Sequence, residues 1–411
     1  MRLARNSTYL FGARVVNSLA IWIFILTVSR WFGPEVFGQF SFLNTIVLTG
    51  IVAANFGLDA MMVREVSRDQ NRGGEWLVEV LSFKVGSSVV VAISACAVFY
   101  FLLDDRAIFR LLAVYSLTIV MNSLAQSFWY YGDAFQKFQY HSFFWAFSNV
   151  IKIPALCIAV FFRKDLASVI EGLVVAELIS LLVASLWVRH AFSLRLVGFS
   201  YRYVLSLFEK GWLLAVVFIL SAVYSRFDVI MLNFMQGKNA VGLYSAAYKF
   251  IEFVSIIPGT ICVAALPGLA VDYVDDYKGF RVSCRRTLRM LMVGGLLIGG
   301  GIFLMADVII PLFYGQEFLN SIECLKILGI VVFFLFVNGF CTCLLIATNN
   351  ERCVVSAILL ATIVNIGLNY LLIPPYSYLG AAFATVISEL FLLLNYFFIL
   401  LRKKEFKSIL W

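Results

Sequence analysis

The sequence predicts an all-α membrane protein with about twelve transmembrane helices, arranged as two six-helix bundles around a central cavity. Hydrophobic residues make up 62% of the 411 residues, charged residues only 14%, and the mean hydropathy is +0.93. Soluble domains carry about 25% charged residues. Apolar runs recur along the whole chain, each long enough to cross a hydrocarbon core of about 30 Å. A short motif also recurs at a spacing close to half of the chain.

The predicted spans follow these apolar runs in order. The first run follows a basic N-terminus, and Arg14 interrupts it, so we interpret it as an uncleaved helix and not as a signal peptide. The predicted spans are residues 9–28, 38–58, 80–103, 108–132, 142–162, 167–188, 212–235, 243–270, 287–306, 322–348, 353–373 and 379–401. They predict four domains: an N-terminal bundle at residues 1–188, an amphipathic connection on the membrane surface at 189–210, a second bundle at 211–401, and a basic tail at 402–411.

Basic residues indicate the orientation of the chain. The loops predicted on the same side as the N-terminus hold most of the Lys and Arg residues that lie outside the spans. The positive-inside rule therefore predicts that both termini are cytoplasmic. The net charge of +8 gathers in these short loops, which argues against a nucleic-acid partner.

The recurring motif indicates an internal repeat. Residues 33–41, GPEVFGQFS, align with residues 237–245, GKNAVGLYS. Each copy lies between the first and second helices of a six-helix half. Six is an even number, so the halves share an orientation and are predicted to be related by an axis along the membrane normal. Two bundles of this kind predict rocking motions that expose the cavity alternately, and they predict a monomer because one chain already supplies both bundles.

The span at residues 212–235 carries two charges far from its ends, Arg226 and Asp228. A charge at the centre of a spanning helix costs about 2.5–3.5 kcal/mol even on the lenient insertion scale. Residues two apart on a helix point roughly 200° away from each other, so these two side chains are not expected to pair. Each needs an ion-pair partner on another helix or an aqueous lumen, and the sequence leaves both interpretations open.

Seven further charges lie inside predicted spans. Together with the first pair, the basic residues are Arg14, Lys84, Lys152, Arg226 and Lys249, and the acidic residues are Glu177, Asp228, Glu252 and Glu389. Exposing all of them to lipid would cost roughly 22–32 kcal/mol on the same scale. They must therefore be sheltered by protein or by water.

Position gives some of these charges a specific alternative interpretation. Lys84 lies near the predicted cytoplasmic rim, which favours a side chain that snorkels to the interface. Lys249 and Glu252 are three residues apart, so a local pair is as consistent with the spacing as a role in the cavity. Lys152 precedes Pro154, where a kinked helix could line the cavity.

Uncharged polar and aromatic residues also have a structural and a functional interpretation. Asn365 and Asn369 fall on one face of a span, where they could line a polar lumen, although hydrogen bonding between helices explains them better. The aromatic run at residues 128–131 favours a position in the interface belt. His141 and His190 lie at predicted rims, the eight cysteines are interpreted as inert buried thiols, and the chain has no catalytic or metal-binding motif, all of which argues against an enzyme.

Several stretches carry a family resemblance that extends over nearly the whole chain. They are FGPEVFG at 32–38, FGL at 56–58 with REVSR at 64–68, RFDVIML at 226–232 with GLYSAAYK at 242–249, LFYGQEF at 312–318, and NYLLIP at 369–374 with GAAFAT at 380–385. In these stretches the chain resembles the O-antigen and capsule flippases (Wzx type) of the multidrug/oligosaccharidyl-lipid/polysaccharide (MOP) superfamily.

The resemblance implies a transporter and no enzymatic activity. Such flippases move undecaprenyl diphosphate-linked oligosaccharide units from the cytoplasmic to the periplasmic leaflet of the bacterial inner membrane by alternating access, for O-antigen, capsule or exopolysaccharide synthesis. The implied partners are this lipid-linked substrate, membrane lipids, and polymerase or chain-length proteins of the same pathway. No cofactor is implied, and coupling to H⁺ or Na⁺ is left open.

The implied substrate gives the intramembrane charges candidate roles. Arg14 and Arg226 are the best anion contacts because guanidinium groups match phosphate oxygens, with Lys84, Lys152 and Lys249 as further candidates in a cationic lumen. The four acidic residues, Glu177, Asp228, Glu252 and Glu389, are candidates for coupling to an ion gradient, with structural pairing as the alternative.

Two other functions were weighed. A cation-coupled multidrug exporter of the same superfamily is the nearest alternative, although five basic against four acidic intramembrane residues slightly favours an anionic cargo. A membrane polysaccharide polymerase or ligase would be expected to have a large periplasmic loop, and the longest predicted outer connection, residues 307–321, is short.

Overall fold

The protein is helical nearly throughout. The computed structural model describes residues 2–163, 165–192 and 201–402, of which residues 2–15, 163, 201–215 and 217 are described by their backbone alone. Within these ranges the regular elements are all helices. This follows from the apolar composition, because a helix satisfies its own backbone hydrogen bonds where no water is present to do so.

The number of membrane crossings agrees with the sequence. Ten stretches of the described chain are long and apolar enough to cross a membrane. Two of them, Val16–Arg68 and Glu351–Arg402, have 53 and 52 residues, far more than the roughly 20 that one crossing needs. Each is interrupted by a residue with non-helical backbone angles, the first stretch at Gly33 and the second at Ser377. If each of these two stretches crosses twice, the described chain makes twelve crossings, as the sequence predicts. The predicted all-α polytopic fold is confirmed.

The helices are numbered here along the chain. The helices before residue 192 are α1 (residues 2–32), α2 (34–55), α3 (Leu58–Arg68), α4 (Gly73–Leu102), α5 (Arg106–Ala134), α6 (Phe138–Val150), α7 (Lys152–Ile158) and α8 (Leu166–Ala191). Those after residue 200 are α9 (Tyr201–Gln236), α10 (Lys238–Val254), α11 (Ile256–Asp275), α12 (Tyr277–Phe313), α13 (Ser321–Ala347), α14 (351–376) and α15 (378–402).

Local chemistry explains where the helices break. Gly33 has a φ of 71°, a backbone conformation that favours glycine, and Pro34 follows it at the start of α2, where a missing N–H is harmless. The kink expected near Pro154 is also present, since α6 ends at Val150 and α7 begins at Lys152. Pro154 then lies in the first turn of α7, where proline is tolerated.

The predicted surface connection at residues 189–210 is only partly described. Residues 193–200 lie outside the described chain. Residues 201–210 are continuous with the following span, because α9 runs unbroken from Tyr201 to Gln236. The predicted start of this helix at residue 212 is therefore wrong by about three turns. The basic tail beyond residue 402 also lies outside the described residues.

The chain divides into two compact units. The first unit contains the residues up to Phe32 and Phe42–Ala222, and the second contains Gly33–Ser41 and Val223–Trp411. The short segment Gly33–Ser41, hereafter the strap, thus leaves the first unit, contributes to the second, and returns. The predicted domain boundaries at residues 188 and 211 stay predictions.

The strap is one copy of the sequence repeat, and within the second unit it packs directly on the other copy. A methyl group at Gly38 would overlap the carbonyl oxygen of Lys238, and a methyl group at Gly242 would overlap the carbonyl oxygen of Pro34. The two glycines occupy equivalent positions in the repeat, and each lies against the backbone of the other copy. Only glycine permits so close a backbone contact.

An aromatic anchor holds the strap in place. Phe37 is completely buried, and its ring lies 6.2 Å from the ring of Tyr314 and 6.0 Å from that of Phe318. Both partners belong to the second unit and are themselves buried. This packing accounts for the membership of the strap in that unit.

Candidate functional site

The intramembrane charges of the second unit meet in a cluster on α9 and α10. Arg226 Nη2 lies 3.1 Å from Glu252 Oε1, and Lys249 Nζ lies 2.6 Å from Glu252 Oε2. The side chains of Arg226, Lys249 and Glu252 are 25%, 16% and 27% exposed. We call these three residues the cationic triad. Two cations share one carboxylate, so the three side chains together carry a net charge of +1 in a site that is partly open.

The triad combines both interpretations that the sequence left open. The local pair between Lys249 and Glu252 is confirmed, and it follows from their spacing of three residues on α10. The pair between helices is also present, because Arg226 reaches the same carboxylate from α9. Neither pair closes the site, since all three side chains keep exposed surface.

Asp228 takes a different partner from Arg226, as their spacing predicts. Its carboxylate accepts hydrogen bonds from the hydroxyl of Tyr244 and, at 2.8 Å, from the backbone N–H of Val229. The Tyr244 hydroxyl oxygen also lies 3.3 Å from Thr385 Oγ1. Asp228 and Tyr244 are both buried. The carboxylate therefore links α9 to α10 and faces the interior of the second unit.

The remaining acidic candidate of the second unit, Glu389, is also enclosed. Its carboxylate accepts hydrogen bonds from Tyr224 Oη at 2.9 Å and from Asn338 Nδ2 at 2.7 Å. These donors come from α9 and α13, while Glu389 lies on α15. Neutral donors thus hold a buried carboxyl group among three helices, and its role in coupling stays a prediction.

The asparagine candidates are buried between helices. Asn369 Nδ2 donates to Asn365 Oδ1 at 2.9 Å, and Asn365 Nδ2 donates to Ser388 Oγ at 3.2 Å. The bond to Ser388 joins α14 to α15. The interhelical hydrogen bond favoured by their positions is thus present for Asn365, whereas Asn369 bonds to Asn365 within the same helix.

In the first unit, Lys84 does not snorkel. Its Nζ lies 2.7 Å from both carboxylate oxygens of Asp59 and 3.0 Å from the backbone oxygen of Ser123. The Lys84 side chain is 0% exposed. The expectation of a snorkelling lysine is wrong because a carboxylate lies within reach and neutralises the charge. Asp59 was missed because the predicted second span ended one residue before it.

Lys152 and Glu177 form a second ion pair in the first unit. Lys152 Nζ lies 2.7 Å from Glu177 Oε1 and 3.3 Å from Asn149 Oδ1. The other oxygen of Glu177 accepts a hydrogen bond from Asn122 Nδ2 at 3.2 Å. Glu177 is buried and Lys152 keeps some exposed surface. The structure therefore brings together two of the predicted candidates, one basic and one acidic.

Three half-buried amides connect the two ion pairs of the first unit. Asn55 Nδ2 donates to Gln126 Oε1 at 2.9 Å, and Gln126 Nε2 donates to Asn122 Oδ1 at 2.7 Å. At one end Ser123 Oγ donates to Asn55 Oδ1 at 2.6 Å, and at the other Asn122 donates to Glu177. We call Asn55, Gln126 and Asn122 the amide row. Its members are not among the predicted site residues, although Asn122 and Gln126 show the same four-residue spacing as Asn365 and Asn369.

The remaining predictions concern Arg14, the aromatic run at residues 128–131, the histidines and metal binding. Arg14 lies outside the described side chains, so its role stays a prediction. The interface-belt interpretation is wrong for Trp129 and Tyr131, which are buried in the apolar core of the first unit. His141 lies 2.7 Å from Asp133 Oδ2. The described residues contain no group of three or more His, Cys, Asp or Glu side chains that could hold a metal ion.

Comparison with protein families identifies the chain. The family described as "Polysaccharide biosynthesis protein" matches residues 3–271, which is more than half of the 411 residues. The chain belongs to this family. The MatE family also matches, over residues 214–371.

Two curated relatives agree with this assignment. The family member is 27% identical over 359 residues to the "Putative O-antigen transporter" of Shigella flexneri, in a match that covers 81% of this chain and 82% of the relative. It is 22% identical over 408 residues to the "Capsular polysaccharide biosynthesis protein CapF" of Staphylococcus aureus, covering 96% of this chain and 98% of the relative. With the family match, they confirm the resemblance to MOP-superfamily polysaccharide flippases.

Solved structures identify the fold. The chain is similar to the lipid II flippase MurJ in an inward closed conformation, with a TM-score of 0.77 at 15% identity, covering 99% of this chain and 89% of that one. It is also similar to an inward-facing multidrug resistance MATE transporter of the MOP superfamily, with a TM-score of 0.73 at 16% identity, covering 94% of each chain. These structures show that the chain has the MOP fold. Its apolar helices, the family match and the relative named as a transporter together identify a multi-pass membrane transporter and not an enzyme.

Proposed function

We propose that this protein is a flippase that moves undecaprenyl diphosphate-linked oligosaccharide units from the cytoplasmic to the periplasmic leaflet of the bacterial inner membrane. Its family and the names of its relatives support a role in O-antigen or capsule synthesis. The observation that carries the proposal is the cationic triad, a partly open site inside the membrane with an excess of positive charge. A diphosphate is the anionic part of the substrate and would bind there.

The geometry of the triad suits an anion that must bind and then leave. Glu252 holds both cations in place while the site is empty, which offsets the cost of keeping two like charges inside a membrane. An arriving diphosphate offers Arg226 and Lys249 new oxygen partners and competes with Glu252 for them. The guanidinium of Arg226 can bind two phosphate oxygens side by side, whereas Lys249 acts as a point charge. The exchange of partners limits the net affinity and so favours release.

The other basic candidates differ in accessibility. Lys152 keeps exposed surface and is paired with one carboxylate, so it remains a proposed secondary contact. The side chain of Lys84 has no exposed surface, and it would reach a ligand only by breaking its pair with Asp59. Arg14 remains a proposed contact on the strength of the sequence alone.

The decisive experiment is complementation in the source strain. Deletion of this protein is expected to abolish surface polymer, and the wild-type gene restores it. Arg226→Ala and Lys249→Ala are expected to lose most of the restored polymer at normal membrane abundance. Arg72→Ala is a matched control, because this arginine pairs with Glu75 on the exposed surface. Full surface polymer in the deletion strain would refute the proposed function, whereas full activity of both triad variants would refute only the site.

The orientation is part of the proposal and has its own test. Both termini are proposed to be cytoplasmic, in agreement with the distribution of basic residues. Green fluorescent protein fused to the C-terminus fluoresces only when it folds on the cytoplasmic side. A bright fusion is expected, and a dark fusion of normal abundance would refute the orientation.

The match to the MatE family favours multidrug export as a second candidate. An exporter of cationic drugs would need an accessible acidic site, but Asp228 and Glu389 are buried and the partly open triad carries excess positive charge. The deletion strain should therefore be no more sensitive than its parent to cationic dyes and antiseptics. A rise in sensitivity that the wild-type gene reverses would support export instead.

A further inference from the structure

We infer that the amide row of the first unit is a sugar-binding element, which contacts hydroxyl groups of the oligosaccharide. The inference rests on the proposed function, because it assigns a second part of the same substrate. It concerns Asn55, Gln126 and Asn122 and the neutral, hydrogen-bonding chemistry that they offer.

The row has hydrogen-bonding capacity that it does not use internally. A primary amide has two N–H donors and an oxygen that accepts two hydrogen bonds. Within the row each of the three amides uses one N–H group and one lone pair. Each therefore retains one donor and one acceptor for a ligand. Sugar hydroxyls both donate and accept, so neighbouring hydroxyls on one ring match this arrangement.

The row is also held rigidly. At one end the backbone oxygen of Ser123 accepts a hydrogen bond from Lys84 Nζ. The same ammonium group forms an ion pair with Asp59. At the other end Asn122 donates to Glu177, which is paired with Lys152. Groups fixed in this way lose little conformational freedom when a ligand binds, which is what a recognition surface needs.

The amide row and the cationic triad differ in net charge. Each flanking ion pair balances one cation with one anion, and the amides are neutral, so the network has no excess charge to attract a phosphate. The triad, in contrast, has two cations for one carboxylate. A proton relay is a poor alternative for the row, because amides do not titrate near neutral pH and three in succession would block transfer.

Partial exposure indicates that a ligand can reach the row. Asn55, Asn122 and Gln126 are each half-buried. An amide facing hydrocarbon without a partner is costly, so the exposed part of these side chains is expected to face water and not lipid. Asn365 and Asn369 lack this accessibility because both are buried.

The test compares two lipids that differ only in their sugars. One probe is undecaprenyl diphosphate, and the other is the lipid-linked oligosaccharide extracted from the source strain after deletion of this protein. Binding of each to the purified full-length protein is measured by native mass spectrometry. The wild type is expected to bind the sugar-bearing lipid more tightly, and Gln126→Met to weaken that binding about tenfold, because two hydrogen bonds to sugar are lost. Binding of undecaprenyl diphosphate should not change.

Controls separate recognition from structural effects. Asn44→Leu removes another half-buried amide of the first unit, which bonds to Tyr115 at 2.9 Å outside the row, and it should bind both lipids like the wild type. Asn55→Leu tests one end of the row if Gln126→Met, at its middle, does not fold. Equal weakening of both lipids, or no weakening of either, would overturn the inference. A wild type that binds both lipids equally would overturn it but leave the proposed function intact, and one that binds neither would count against both.

Discussion

The buried pair between Lys84 and Asp59 gives the sharpest prediction about stability. Replacing Asp59 with leucine leaves the ammonium of Lys84 enclosed with only the backbone oxygen of Ser123 as a partner. At the observed separation of 2.7 Å, an effective dielectric constant of about 20 gives an attraction of about 6 kcal/mol. Breaking such a pair by removing one member costs about 3–5 kcal/mol, because an uncompensated charge stays buried.

The double variant Asp59→Leu/Lys84→Met should recover most of that loss. It removes both charges and fills the space with apolar groups of similar size, an exchange that is often neutral or stabilising. Ser127 would lose its hydrogen bond to Asp59, which is 3.0 Å long, so a residual loss of about 1 kcal/mol is expected. The interaction energy from the complete cycle should then be at least about 2 kcal/mol.

The changes in stability in this double-mutant cycle are measured by thermal unfolding of the detergent-solubilised protein. For a unit of this size, a loss of 3–5 kcal/mol lowers the Tm by roughly 6–20 °C. Arg72→Met is the matched control, because its pair with Glu75 is exposed and should contribute less than about 1 kcal/mol. A Tm of Asp59→Leu within about 2 °C of the wild-type Tm would show that water reaches Lys84. It would refute the expectation that the unpaired ammonium group stays buried.

Three other predictions follow from the strap and the triad. Gly242→Ala should destabilise the protein by at least about 1–3 kcal/mol, because its methyl group would overlap the Pro34 carbonyl oxygen, whereas Gly300→Ala, with open space around it, should not. Phe37→Ala should cost about 3–5 kcal/mol in thermal unfolding, and a loss under about 1 kcal/mol would contradict its role as an anchor. Glu252→Gln should bind undecaprenyl diphosphate more tightly in native mass spectrometry and export less polymer, because both cations lose their internal partner. Weaker binding would show that Glu252 positions them in some other way.

Hydropathy was sufficient to predict an all-α protein with many membrane crossings, because each crossing must be predominantly apolar. The two long helical stretches were correctly divided from sequence, since Gly33 with Pro34 and the pair Pro374 and Pro375 interrupt the apolar runs. The local pair of Lys249 and Glu252 was also foreseeable, because helical spacing fixes which side chains are neighbours.

The partners across helices could not be predicted for a physical reason. In a soluble protein a polar face marks the outside of a helix, but in a membrane both the lipid-facing side and the core are apolar. Nothing in the sequence therefore shows which way Trp129 or Tyr131 faces, and both proved to be buried. For the same reason no pattern in the sequence indicated that Asp59 would meet Lys84 from another helix. Only spacing within one helix, as for Asn122 and Gln126, was available as a signal.

The membership of the strap in the second unit has a consequence for the order of synthesis. Residues 33–41 leave the ribosome long before residues 237–245 and 314–318, on which they pack, have been made. The second unit cannot complete its core until it takes up a segment translated near the beginning of the chain. A fragment that starts at residue 201 would lack that segment, even though it contains six of the twelve crossings. The two halves of the repeat are thus interdependent during biogenesis, because the strap has no packing partner until residues 237–245 and 314–318 have been made.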